Sequence, residues 1–130
     1  MRKIPFRFAV NSILSILSIV VVFHLSVLGG LVPNNIVWGG KFEDESQLIK
    51  FEIASVIINA FMILVVAIKG QYLKVRLPNK MITILLWLMT LLFASNTVGN
   101  LFANTLAETI IFTPITFILA ILCLRITKAN

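Results

Sequence analysis

Ionisable and amide side chains interrupt the apolar stretches of this chain, among them His24, Glu52, Asn59, Asn96, Asn100 and Glu108. An ionisable or amide side chain inside hydrocarbon is costly, so each one retained there marks a candidate site. A buried carboxylate beside amides can bind a cation or exchange a proton, and a histidine with a carboxylate can work as an acid–base pair. Both groups of such a pair must lie within hydrogen-bond reach of one substrate, about 3 Å. Their depths can be counted from the basic residue at the far end of each apolar run. His24 lies 17 positions from Arg7, Glu52 17 from Lys69, Asn96 16 from Lys80, and Glu108 17 from Arg125. A helical rise of about 1.5 Å per residue puts all four roughly 24–26 Å from one membrane boundary, in a single layer. Asn100 stands one turn beyond Asn96, and Asn59 about two turns below Glu52, near the midplane.

Two readings of this layer compete. In one, the groups only bond each other or reach interfacial water. In the other, they line a pocket open to the outer leaflet, with Glu52 as its titratable centre and Asn59, Asn96 and Asn100 assisting. Glu52 shares a helix face with Ser55 and Asn59, which favours it as the centre. Glu108 also reads as a helix-start residue that complements the helix dipole. His24 points roughly opposite the small-residue stripe of its own helix, and that phase counts against a His24–Glu52 pair. Pro33-Asn34-Asn35 and Gly39-Gly40 read as turns. Trp38 between them is either an interfacial anchor or a lid over the layer.

The elements that must carry these residues follow from composition. Of 130 residues, 59% are hydrophobic and 12% charged, with a mean hydropathy of +1.04. Soluble domains carry about a quarter charged residues. The figures exclude a water-soluble globule, a disordered chain and a disulfide scaffold, and they describe an integral membrane protein. The single cysteine, Cys123, excludes a dithiol relay, and the single histidine excludes sites that need two imidazoles. Nothing implies a metal or a cofactor. The net charge of +6 sits at the ends of the apolar runs, which fits anionic lipid head groups and not nucleic acid.

Crossing about 30 Å of hydrocarbon takes roughly 20 apolar residues. Four runs meet or approach that length, at 8–32, 48–68, 81–102 and 108–125, and the expected fold is an all-α bundle of four membrane spans in a single domain, residues 1–130. Asp44 and Gln47 have capping-box spacing before the second span, and Asn79 after Pro78 is the expected N-cap of the third. Arg2, Lys3, Arg7, Lys69, Lys74, Arg76, Lys80, Arg125 and Lys128 fall at one end, while the other end holds only Lys41 and Lys50. This distribution predicts both termini on the cytoplasmic side. The first apolar run is about 20 residues long, beyond the 7–15 of a cleaved signal peptide, and is expected to stay as a span.

Helices in lipid associate through small and polar residues, so stripes of these predict the interfaces. The first span offers Asn11, Ser15, Ser18, Val22 and Ser26. The second offers Glu52, Ser55, Asn59, Met62 and Val66. The third offers Thr83, Trp87, Thr90, Ala94 and Thr97, with Trp87 as core filler. The fourth offers Thr109, Thr113, Thr116, Ala120, Cys123 and Thr127. Pro114 frees the carbonyl near Ile110, which the Thr113 hydroxyl is placed to satisfy. The stripes serve packing within one bundle or a homo-oligomer contact.

The strings Ile36-Val37-Trp38-Gly39-Gly40-Lys41, Phe51-Glu52, Asn96-Thr97-Val98-Gly99-Asn100 and Glu108 with Pro114 resemble an uncharacterised family of small four-span bacterial integral membrane proteins. The resemblance covers almost the whole chain. It implies a multi-pass protein of the bacterial inner membrane and no activity. Small multidrug exporters differ, because they place a glutamate in the first span. Three functions stay open: binding of a small or amphiphilic ligand, an accessory subunit with a membrane partner protein, and an acid–base enzyme on a lipid-soluble substrate.

Overall fold

A computed structural model describes residues 4–30, 45–102 and 106–128. They form four helices and, among the described residues, no strand: α1 (Phe6–Leu28), α2 (Glu45–Lys69), α3 (Asn79–Leu101) and α4 (Leu106–Thr127). All four are long and apolar enough to cross a membrane. The protein is a four-helix membrane bundle. Exposed Phe8, Ile19, Ile57, Leu88 and Phe117 face outward on different helices, as lipid-facing residues do.

Local chemistry sets the ends. Pro5 precedes α1, where its missing N–H costs nothing, and its carbonyl accepts the Ala9 N–H at 3.0 Å. Gly29 follows Leu28, and Gly30 takes a φ of +79°, a conformation glycine adopts without a steric penalty. α1 therefore ends at Leu28. At the start of α3 the N-cap is Pro78, without a side-chain cap bond, and Asn79 is the first helical residue and not the cap. The expected capping box at Asp44 and Gln47 lies outside the described residues. α2 ends in a Schellman motif, with Tyr72 N–H on the Ala67 carbonyl at 2.9 Å and Gln71 N–H on Ile68 at 3.1 Å. Gln71, not Gly70, holds the left-handed position, at φ 65°. Gly70 serves a different purpose: a Cβ there would meet Val10 Cγ1 at 2.6 Å, so its lack of a side chain lets α1 and α2 close together.

α1 packs against α2 and α4, α3 packs chiefly against α4, and α2 and α3 touch at few points. The apolar core lies in the half nearest the chain termini. It is built from Val10, Ile13 and Leu17 on α1, Met62 and Val66 on α2, Leu86 and Phe93 on α3, and Leu119 and Ile126 on α4. Arg7 donates to the Gly70 carbonyl and Arg125 to the Ile4 carbonyl, which ties both terminal segments and the α2–α3 connection to one end. The opposite half carries the polar groups.

The expected α1 interface is overturned. Asn11, Ser15, Ser18 and Val22 are exposed, and the buried face is Ala9, Val10, Ile13, Leu17 and Val27. The physical reason is self-satisfaction: Ser18 donates to the Leu14 carbonyl at 2.7 Å and Ser26 to Val22 at 2.9 Å. A hydroxyl bonded to its own helix needs no neighbour and can face lipid. On α3, Trp87 is 42% exposed and Ala94 is exposed, so Trp87 is not core filler; Leu86, Met89, Thr90 and Phe93 point inward. The α2 and α4 stripes do lie inward, through Glu52, Asn59, Met62 and Val66, and through Cys123 and Thr127.

Candidate functional site

Val10, Leu17 and His24 recur every seven residues on α1, and Glu52, Asn59 and Val66 do the same on α2. A seven-residue repeat keeps one face turned toward a neighbouring helix. The apolar seam that joins α1 to α2 near the termini therefore continues upward into a polar contact. There, His24 Nδ1 and the Glu52 carboxylate Oε2 are hydrogen-bonded. The Glu52 side chain is wholly buried at 0% exposure, and His24 retains 15%. The pair that the helical phase of a serine-lined seam counted against is thus present, because that seam faces lipid. The depth count, which put both groups in one layer, agrees with their contact.

Pairing makes the burial of Glu52 tolerable, since an isolated buried carboxylate is strongly disfavoured. It also orients the imidazole. With Nδ1 committed to Glu52, Nε2 is left without a hydrogen-bond partner among the described residues. Phe23 presents its ring edge-on to His24 at 5.6 Å between centroids and to Phe112 of α4 at 5.2 Å. This aromatic pair gives the imidazole an apolar flank. The arrangement can offer Nε2 as an acceptor when the ring is neutral, or as a donor when it is imidazolium.

The remaining candidates separate from the pair. Asn59 is buried on the same α2 face but donates to the Ser55 carbonyl of its own helix at 2.7 Å. Asn96 is exposed on α3. Asn100 belongs to a second polar cluster between α3 and α4: its amide donates to Thr116 Oγ1 at 3.4 Å, the Thr97 and Thr116 hydroxyls lie 3.0 Å apart, and Thr109 donates to the Asn100 carbonyl at 3.1 Å. The single layer of the sequence reading is two polar groups, one per helix pair. Trp38, and Glu108 as a side chain, lie outside the described residues.

Sequence reasoning missed the Thr97–Thr116 contact. Its signal was present, since both threonines stood on the stripes assigned to α3 and α4. The Thr113 hydroxyl does not take its expected role: it is buried and has no hydrogen-bond partner among the described residues. Its neighbour Thr116 bonds back instead, to the Phe112 carbonyl at 2.9 Å. Among the described residues no three His, Cys, Asp or Glu side chains come together to hold a metal ion. No protein-family model, curated protein or solved structure matches this chain.

Proposed function

We propose that this protein binds a small amphiphile through His24, with Glu52 holding the imidazole so that Nε2 meets a hydroxyl or amine of the ligand. The observation that carries the proposal is the fully buried Glu52 bonded to His24 Nδ1 in a helix pair otherwise held by apolar packing. The distribution of lysines and arginines supports cytoplasmic termini and, with them, a place for the pair in the outer half of the membrane. The sparse packing of α2 against α3 favours lateral entry of a lipid-soluble molecule. Resemblance to small four-span bacterial proteins favours the bacterial inner membrane as its location.

His24 is the sole histidine, so the ultraviolet band of carbethoxylated imidazole, formed with diethylpyrocarbonate, reports on its ring alone. In proteoliposomes, dodecanol slows the growth of that band and dodecane does not. Glu52→Gln weakens the protection. Equal modification rates with dodecanol and with dodecane overturn the proposal. The same pair supports a second reading, an acid–base catalyst in which Nε2 is the base and Glu52 orients it. Conversion of a lipid-soluble substrate, lost in both His24→Gln and Glu52→Gln, separates catalysis from binding.

A further inference from the structure

The end of the bundle that holds the termini contains a cavity of about 910 Å³ between α1, α2, α3 and the α2–α3 connection. Five cationic side chains line it: Arg7, Lys69, Lys74, Arg76 and Arg125. Among the described residues no acidic side chain does. Glu52 sits near the opposite end of α2, and Glu45 and Glu108 lie in the first turns of α2 and α4, whose last turns reach the cavity. Glu43 and Asp44 directly precede α2 in sequence. Among the described residues the cavity lining therefore carries an excess of positive charge.

Two independent features prepare the cavity for an anion. First, the guanidinium groups are held in place. Arg7 donates to the Gly70 carbonyl at 2.7 Å and stacks 4.9 Å from the Tyr72 ring centroid, while Arg125 Nε donates to the Ile4 carbonyl at 2.6 Å. A guanidinium carries five N–H donors in a planar fork, so one carbonyl bond leaves the remainder for a ligand. Second, α1 and α3 both begin at the cavity, through Phe6, Arg7 and Asn79. Neither helix has a side-chain cap or an acidic residue in its first turn. The positive ends of their dipoles are uncompensated. Ile68, Leu73 and Leu77 add an apolar wall beside the charges.

We infer that this cavity binds a phosphate group, presented by an anionic phospholipid head group or as a free phosphate. The site is separate from the His24–Glu52 pair and does not depend on a ligand binding there. The test uses the full chain in vesicles of equal phosphatidylglycerol and phosphatidylcholine, with retained lipid counted by native mass spectrometry. Phosphatidylglycerol is retained in preference. Each charge removed weakens the preference about five-fold, so the double variant Lys74→Gln with Arg76→Gln loses about 25-fold. Lys128→Gln, at the same end but outside the cavity lining, changes it less than about two-fold. In phosphatidylcholine nanodiscs at fixed ionic strength, pyrophosphate titration followed by phosphorus NMR distinguishes the sources. Binding lost in the double variant assigns free phosphate; retention of phosphatidylglycerol without pyrophosphate binding assigns the lipid. Preference for neither probe overturns the inference. So does a Lys128→Gln effect equal to that of the double variant, which reduces the site to diffuse surface charge.

Discussion

His24 and Glu52 stabilise each other only as a pair. His24→Leu takes from the buried Glu52 carboxylate its bond to Nδ1 and costs about 3 kcal/mol. Adding Glu52→Leu removes the buried carboxylate itself, and the double variant recovers most of that loss. Unfolding of the four variants by detergent titration gives the coupling, and additive single effects contradict the pairing. Thr113 presents the opposite case, a buried hydroxyl already without a partner among the described residues. Thr113→Val keeps the shape and removes the unsatisfied group, so it stabilises by about 1 kcal/mol in the same titration. A destabilised Thr113→Val shows that the hydroxyl has a partner after all. At this scale the sequence was informative about depth and misleading about direction. Counting residues from the basic ends puts His24 and Glu52 level, but the rule that small residues mark the inner face fails on α1. Serines bonded to their own carbonyls break that rule, whereas the repeat Val10, Leu17, His24 identifies the true face.

Among the elements, α1 and α2 depend on a close approach at Gly70. A methyl group there runs into Val10, which is fully buried and β-branched and has little freedom to move aside. Gly70→Ala therefore costs about 1–3 kcal/mol by overpacking. Combining it with Val10→Ala makes room, and the penalty of the pair falls below the sum of the single changes. Unfolding midpoints of the three variants check this. The four helices were legible from hydropathy, and their ends shifted wherever backbone chemistry overrode it. Gly29-Gly30 closed α1, and Pro78 took the cap position expected of Asn79. The inward faces of α2 and α4 were readable because their polar residues bond within the bundle or are buried with it, as Asn59, Thr116 and Thr127 do.

Across the whole molecule, chemistry is divided along the bundle axis. Cationic groups gather at the end with the termini, the apolar core occupies the adjoining half, and the His–Glu pair and the Thr97–Thr116 cluster lie beyond it. A tight half and a polar half suit a protein that anchors itself at one membrane face and receives a ligand at the other. The charge distribution predicts which face is which. With Cys123→Ser as background, single cysteines at positions 43 and 104 react with an impermeant maleimide from outside intact cells. Cysteines at 71 and 128 react only after permeabilisation. Labelling of position 43 or 104 from the cytoplasm alone reverses the orientation.

The hydrogen bond between His24 Nδ1 and Glu52 is the feature on which the proposed binding rests, and nitrogen NMR of the selectively labelled single histidine observes it without ambiguity. In a bilayer, the wild-type ring gives an Nδ1 resonance perturbed by a strong hydrogen bond and an Nε2 resonance without one. Glu52→Gln moves the Nδ1 resonance, and dodecylamine or dodecanol moves Nε2 while Nδ1 stays in place. An Nδ1 resonance identical in wild type and Glu52→Gln contradicts the pair and the binding mode built on it.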